Sequence, residues 1–169
     1  MADATYWVDA SVYITAKQGP YRFKVWGVFW AFLGKQIEAG RIRSPKMVYQ
    51  EIVRNEEPDD ELSIWVKNRR SNGLCVAPSQ LVQEAFRKIA DYVQSNPRYP
   101  QPQIARFLSG ADPWLIAQAI VTKGVVVTME TDLKPESKVI RIPDVCHHFG
   151  VRCIDTADML EELGAEFKG

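Results

Sequence analysis

The sequence has few cysteines, and neither sign of charge is in excess. Its three cysteines, Cys75, Cys146 and Cys153, are odd in number and show no C-x-x-C spacing. We therefore expect no disulfide framework, and a reducing cytoplasm suits such a chain. Lys plus Arg and Asp plus Glu both number 21, so the positive and negative charges balance. Any binding of nucleic acid or membrane must therefore depend on local patches.

The sequence also lacks a long apolar run, a leader pattern and an internal repeat. No apolar segment approaches the roughly 18 residues that a membrane span needs. Residues 1–4 have neither the basic nor the apolar region of a signal peptide. A length of 169 residues with 46% hydrophobic and 25% charged residues is typical of an ordinary globular domain. We expect one cytoplasmic domain over residues 1–169, with no membrane association.

Short β-branched or aromatic segments alternate with longer amphipathic segments along the chain. The short segments, which we predict to be strands, are residues 5–9, 41–44, 74–77, 125–128 and 151–154. The longer segments, which we predict to be helices, are residues 23–39, a helix beginning at 45, and residues 60–72, 78–95, 113–120 and 156–163. This alternation predicts βαβ units, and hence a parallel sheet with helices on both faces.

Two further segments do not fit a regular element of that alternation. Residues 96–104 contain Pro97, Pro100 and Pro102, and this density of proline predicts a surface loop. Residues 139–142 are apolar and β-branched around one arginine, which predicts an extended segment.

An acidic residue precedes the most apolar helical segment of the chain. Asp112 stands where a helix N-cap belongs, and Pro113 suits the first helical position. The residues from 115 to 120 are apolar nearly all round the helix, which is typical of a core helix. A capping role alone would explain Asp112, but further acids suggest a second role.

Four carboxylates follow strands or begin helices at one predicted edge of the sheet. Asp9 ends the first strand, Glu51 lies on the helix after the second, Asp112 begins the core helix, and Glu130 follows the fourth strand. In such sheets, ligands bind outside the carboxyl ends of the strands. We therefore expect the four acids to converge there, although a solvated helix face explains Glu51, and a polar turn explains Glu130 and Asp132, equally simply.

A converging set of carboxylates implies a bound cation. Carboxylates in close contact cannot all stay ionised without a neutralising charge. Oxygen ligands without a nearby His or Cys pair favour Mg²⁺ or Mn²⁺ over zinc. Such a site is suited to the metal-assisted hydrolysis of a phosphodiester bond.

The same residues carry a resemblance to a known family. Residues 6–11, 48–52, 111–117 and 126–130, in this order and spacing, resemble the PIN-domain nucleases. The similarity is to a bacterial branch related to the virulence-associated toxin endoribonucleases, and it extends from residue 5 to about residue 163. It implies a three-layer α/β sandwich with a five-stranded parallel sheet in the order 3-2-1-4-5. It also implies cleavage of single-stranded RNA with Mg²⁺ or Mn²⁺, and a partner antitoxin that blocks the site.

The resemblance assigns roles to individual acids. Asp9, Glu51 and Asp112 match the three principal metal-binding acids of the family. The fourth position in many relatives is an Asp in a Thr-x-Asp pattern, whereas this chain has Glu130, and Asp132 is the competing candidate.

Two hydroxyl residues accompany these acids in the resemblance. Ser11 matches a small hydroxyl residue that orients the first acid, and we expect Thr128 to act in the same way.

Basic and aromatic residues supply candidate contacts for RNA or protein. Phosphate contacts and base stacking favour basic residues beside aromatic ones, although ordinary surface explains the basic runs as well. The aromatic segment 21–30 is a candidate core segment, or else an interface for a dimer or an antitoxin. The candidate RNA contacts are Arg41, Arg43, Lys46, Lys67, Arg69 and Arg70.

Two other functions remain open at this point. One is a phosphohydrolase of another doubly wound fold with Asp9 as covalent nucleophile, although Ser11 stands where that chemistry usually needs a second acid. The other is a PIN-like interaction module without catalytic activity, which the departure at Glu130 leaves open.

Overall fold

A five-stranded parallel sheet forms the centre of the protein. The computed structural model describes residues 4–167. The strand order is β3-β2-β1-β4-β5, as predicted, and every neighbouring pair is parallel. Tyr6 in the central strand lies opposite Ile42 on one side and Val125 on the other. The strands within the described residues are β1 (Tyr6–Val8), β2 (Ile42–Pro45), β3 (Cys75–Val76), β4 (Val125–Val127) and β5 (Arg152–Ile154).

Helices connect the strands and cover both faces of the sheet. A short 3-10 helix, Arg70–Asn72, also precedes β3. No helix in the part of the chain that the structure describes has the length and apolar character to cross a membrane. The α-helices within residues 4–167 are α1 (Ala10–Gln18), α2 (Gly27–Glu38), α3 (Lys46–Asn55), α4 (Glu61–Arg69), α5 (Gln80–Ser95), α6 (Gln101–Ser109), α7 (Asp112–Thr122), α8 (Ile142–His148) and α9 (Thr156–Glu162).

The sheet separates two hydrophobic cores. Tyr6 and Val8 belong to the core formed with α1, α2, α3, α4 and α9, whereas Trp7 belongs to the core formed with α5, α6, α7 and α8. Val125 and Val127 join the first core and Val126 the second. Because alternate residues of a strand point to opposite faces, each central strand contributes to both cores. This is the three-layer α/β architecture that the alternation and the resemblance predicted.

The predicted surface loop at residues 96–104 is wrong beyond residue 100. Helix α6 begins at Gln101, and Pro102 occupies a first-turn position where a missing backbone N–H costs no helical hydrogen bond. Ile104 and Phe107 are buried in the second core, and this burial favours a helix where composition predicted a loop. Tyr99 is also buried, so even the remaining connection packs against the protein.

The predicted extended segment at 139–142 forms no strand. Residues 139–141 are irregular, and α8 begins at Ile142 with Pro143 in its first turn. Ile142 and Val145 are buried on the same side of the sheet as α7. A helix places these two side chains on one face, because positions three apart are neighbours on a helix surface.

The aromatic segment 21–30 packs mainly on itself and on the first core. The rings of Tyr21 and Phe29 stack at 4.2 Å, and those of Phe23 and Trp30 stack at 4.0 Å. The indole nitrogen of Trp30 donates a hydrogen bond of 2.6 Å to the carbonyl of Tyr21. Of the roles predicted for this segment, the structure shows that of a core segment.

Helix α7 is joined to the central strand at its carboxyl end. The indole nitrogen of Trp7 donates to the Thr122 hydroxyl at 2.8 Å, and that hydroxyl donates to the carbonyl of Gln118 at 2.8 Å. A Cβ on Gly124 would lie 2.6 Å from the carbonyl oxygen of Thr5, so only glycine fits between α7 and β4. This joint fixes α7, and with it Asp112, relative to β1.

Candidate active site

Asp9 is a buried carboxylate at the end of the central strand. Its backbone N–H donates to the carbonyl of Val127 at 2.9 Å, so the strand pairing extends to this residue. The residue is only 7% exposed. Its Oδ2 accepts hydrogen bonds from the Ser11 hydroxyl at 2.7 Å and the Thr128 hydroxyl at 3.1 Å. Both contacts expected for the first acid are therefore present.

Backbone groups after β4 hold these two hydroxyls in place. The N–H of Met129 donates to Ser11 Oγ at 3.3 Å, and the N–H of Glu130 donates to Thr128 Oγ1 at 3.4 Å. Each hydroxyl thus accepts from the backbone and donates to Asp9. Burial raises the pKa of Asp9, the hydrogen bonds from Ser11 and Thr128 oppose that rise, and the charge of Glu130 adds to it.

Asp112 is the first residue of α7 rather than its N-cap. Ala111 holds the N-cap position, and the Asp112 side chain makes no capping hydrogen bond. The N-cap prediction is therefore wrong by one residue. The Asp112 carboxylate is not used in capping and can bind a ligand. Burial raises its pKa to about 7, and the negative charges of Asp9, Glu51 and Glu130 contribute to the rise.

Glu51 lies on α3 between the core and the cleft beside the sheet. Val48 and Ile52 of the same helix are buried in the first core, whereas Glu51 is half-buried at the margin of that face. Burial and the charge of Asp9 raise the pKa of Glu51, and the Arg54 cation opposes the rise. Asp9, Glu51 and Asp112 therefore lie close enough for their charges to interact.

A buried hydrogen-bond chain sets the position of α3 relative to Asp9. The Ser44 hydroxyl, near the end of β2, donates to the carbonyl of Val8 at 2.7 Å. Because that hydroxyl has only one hydrogen, the Tyr13 hydroxyl donates in turn to Ser44 Oγ at 2.9 Å. Neither Ser44 nor Tyr13 belongs to a local motif, so no sequence signal indicates this chain of hydrogen bonds.

The two candidates for the fourth acid lie in different places. Glu130 is at the rim of the cleft, where its Oε2 lies 3.9 Å from Nε of Arg141. Its charge nevertheless reaches Asp9 and Asp112 and raises the pKa of both. Asp132 is exposed and does not line the cleft. Of the two, the structure brings only Glu130 to the other acids.

A cleft of about 730 Å³ is lined by three of the four acids and by a set of cations that no local sequence signal indicates. Glu51 and Asp112 line it together with Glu130. The cations come from α3, from α6 and from the irregular segment before α8. Helix α6 was predicted to be a loop, and the irregular segment before α8 was predicted only in part, as an extended segment. The cationic lining residues are Arg54, Arg106, Lys134 and Arg141.

The whole of this architecture falls within one protein family. A family model described as a domain of unknown function, DUF4411, matches residues 6–167. The chain belongs to this family. The matched segment of the DUF4411 domain begins at the first residue of β1 and includes all four predicted acids. No curated protein matches the sequence.

Three of the basic residues predicted to bind RNA lie away from the cleft of the DUF4411 domain. Arg43 donates from Nη1 to the carbonyl of Gly73 at 2.7 Å. The Arg69 guanidinium lies 4.3 Å from the ring centre of Trp65 and also donates to the Trp65 carbonyl. Arg41 precedes β2, at the opposite end of the strand from the acids. These three residues do not line the cleft.

The acids of the DUF4411 domain offer the donor chemistry of a hard cation. Within residues 4–167, no group of three or more His, Cys, Asp and Glu side chains is arranged to hold a metal ion. The charge of Asp9 nevertheless raises the pKa of Glu51 and of Asp112, and two hydroxyls and the Ala10 backbone donate hydrogen bonds to Asp9. Mutual repulsion keeps such carboxylates apart until a cation neutralises them. The donor set therefore fits Mg²⁺ or Mn²⁺.

Proposed function

We propose that this DUF4411 domain is a metal-dependent endoribonuclease that hydrolyses phosphodiester bonds in single-stranded RNA. The observation that carries the proposal is a single cleft lined by both carboxylates and cations. Glu51 and Asp112 line it together with Arg54, Arg106 and Arg141. Carboxylates of this kind bind divalent cations, and cations bind the anionic backbone of nucleic acid.

The carboxylates support the metal requirement. Burial and the neighbouring acids raise the pKa of Asp112 to about 7, so a nearby positive charge would favour its ionised form at neutral pH. Asp9, Glu51 and Asp112 would hold Mg²⁺ or Mn²⁺, with Glu130 at the rim as a fourth acid. When bound, such an ion supplies positive charge that lowers the pKa of water and stabilises the leaving oxygen.

The remaining residues of the cleft would orient the substrate. Ser11 and Thr128 fix Oδ2 of Asp9, so the carboxylate keeps one orientation. Arg106 and Lys134 would bind phosphate oxygens through charge-assisted hydrogen bonds. The Trp114 ring stacks on Phe86 at 4.2 Å and also lines the cleft, so it offers an aromatic surface to a base.

The size of the cleft supports a single strand rather than a duplex. Its volume of about 730 Å³ is that of a site for one small ligand, roughly 300–1,000 Å³. An extended strand can place one linkage at a time in such a cleft, whereas a base-paired helix is too wide to enter it.

Cleavage of end-labelled nucleic acids tests the proposal. A panel of RNAs and single-stranded DNA is incubated with Mn²⁺, with Mg²⁺ or with EDTA. A D9N/D112N variant, purified identically, is the control. We expect metal-dependent cutting of RNA by the wild type alone. Cutting that survives both substitutions would place the activity elsewhere or in a contaminant.

Two other activities are separate outcomes of that assay. A phosphate covalently trapped on Asp9 would indicate a phosphohydrolase with Asp9 as nucleophile. No cutting, together with no heat of Mn²⁺ binding, would indicate an interaction module. The ion pair between Glu130 and Arg141 favours that second candidate, because the arginine already compensates the charge of the fourth acid.

The narrower role of a toxin rests on the resemblance to PIN-domain toxins. In that role a cognate antitoxin would cover the cleft, and a homodimer is compatible with it. Induced expression of the wild type would then arrest growth, while expression of D9N/D112N would not. Equal growth of both cultures would leave the ribonuclease without a toxin role.

A further inference from the structure

A second concave surface lies at the edge of the sheet beside β3. It encloses about 500 Å³ and is lined by Lys46, Lys67, Arg70, Ser71, Cys75 and Ala77. We call this surface the basic recess. None of the ion pairs found among residues 4–167 includes Lys46, Lys67 or Arg70. The recess therefore has three positive charges that no acidic side chain of the described chain neutralises by direct contact.

A contact within the protein holds one of these cations, Arg70, in position. The Arg70 guanidinium lies 5.3 Å from the ring centre of Tyr49 on α3. Burial raises the pKa of the Cys75 thiol, and the nearby charges of Arg70 and Lys46 oppose the rise. Lys46 is half-buried at the start of α3. The charges of Lys46 and Arg70 thus both act on the Cys75 side chain that lines the recess.

The basic recess and the acidic cleft border the same turn of α3. Lys46, the first residue of α3, lines the recess, and the next residue, Met47, lines the cleft. Further along the helix, Gln50 and Glu51 also line the cleft. A chain that leaves the cleft over the amino end of α3 therefore meets the recess directly.

We infer that the basic recess binds backbone phosphates of a single-stranded RNA whose cleaved bond lies in the acidic cleft. This inference rests on the proposed function. Arginine binds phosphate oxygens in a two-pronged geometry, and lysine supplies a compact positive charge. The Ser71 hydroxyl adds a neutral donor. Three cations and a hydroxyl around one concavity are suited to an anion with several oxygen acceptors.

Equilibrium binding without cleavage tests this inference separately from the proposed function. The probe is a fluorescein-labelled 15-nucleotide RNA, titrated in EDTA at several salt concentrations. The test variant is K46A/K67A/R70A. The control, K35A/R87A/K88A, removes the same charges from exposed positions outside both the cleft and the recess. Circular dichroism and thermal unfolding establish that each variant is folded.

We expect the recess variant to bind RNA at least about tenfold more weakly and the control to bind within about twofold of the wild type. The slope of log K against log salt should fall by about 2, since each phosphate contact on a single strand contributes about 0.7. Wild-type affinity and slope in the recess variant would overturn the inference while leaving metal-dependent cleavage intact. A parallel titration with polyglutamate tests for an acidic protein partner. If the recess variant kept its RNA affinity but lost binding to polyglutamate, the inference would be overturned in favour of such a partner.

Discussion

The Thr128 hydroxyl donates a hydrogen bond of 3.1 Å to Oδ2 of Asp9, and the two residues stand 119 positions apart in the sequence. They follow neighbouring parallel strands, β4 and β1, whose ends meet at one edge of the sheet. The Ser11 hydroxyl reaches the same oxygen from α1. One buried carboxylate oxygen is therefore held from two elements, which orients the acid before any ligand binds.

Loss of the Thr128 hydroxyl should weaken metal binding. In T128V, Asp9 loses a donor and the N–H of Glu130 loses its acceptor. Losing an outer-shell partner of this kind typically lowers metal affinity by about 10–100-fold. Calorimetric titration with Mn²⁺ measures the change. T128S keeps the hydroxyl and should bind Mn²⁺ nearly as the wild type does; equal losses in both variants would argue against the hydrogen bond.

Asp112 should make the stability of the metal-free protein depend on pH. Its pKa is about 7 in the folded protein, against 3.8 for an ordinary Asp, so between these values the folded state binds more protons than the unfolded state. The contribution of Asp112 to the free energy of unfolding is therefore greatest below about pH 4. This contribution is lost as the pH rises from about 4 to about 7. The loss is on the order of 2–4 kcal/mol, since one pKa unit corresponds to about 1.4 kcal/mol.

Urea unfolding in EDTA between pH 5 and pH 8 measures this dependence. D112N has no proton to lose there, so its stability should vary less with pH and should exceed that of the wild type at pH 8. D132N is the matched control, because Asp132 is exposed outside the cleft. A wild-type slope in D112N would show that Asp112 does not titrate in this range.

Divalent cations should stabilise the folded protein through the acids. A ligand that binds only the folded state, at 100 times its Kd, adds about 2.7 kcal/mol of stability. We expect Mn²⁺ to raise the unfolding temperature of the wild type by several degrees and EDTA to reverse the rise. D9N/D112N should show no such rise. An equal rise in this variant would mean that the cation binds elsewhere.

Arg106 should contribute to substrate binding without contributing to stability. It lies on α6 one turn from Gln103, and both line the cleft. A hydrogen bond from a charged group contributes roughly 1.5–3 kcal/mol. R106A should therefore lower kcat/KM for RNA cleavage by about 10–100-fold with an unchanged unfolding temperature. R87A, on the exposed surface of α5, should retain wild-type cleavage. Equal activity of the two variants would show that Arg106 does not bind the substrate.

The acids could be located from the sequence because their signals are local. Asp9 directly follows a β-branched and aromatic strand, and Asp112 lies at the start of an apolar helix, so the parallel topology alone puts them at one sheet edge. Glu51 was located in the same way from the helical spacing around it.

The cationic side of the cleft could not be predicted, because it depends on tertiary packing. Pro100 and Pro102 indicate a loop, and α6 forms because Ile104 and Phe107 are buried in the second core. Without that helix, Arg106 has no predicted position. Arg69, in contrast, lies four residues after Trp65, and this helical spacing is a local signal for the contact observed.

The position of β1 at the centre of the sheet also determines when the site can be completed during synthesis. Asp9 and Glu51 are translated in the first third of the chain, but the Thr128 hydroxyl that orients Asp9 is translated 119 residues after that acid. At roughly 5–20 residues per second, the interval is about 6–24 s. During that interval the nascent chain carries Asp9 without the hydroxyl that orients it, so the proposed metal site is incomplete while synthesis continues.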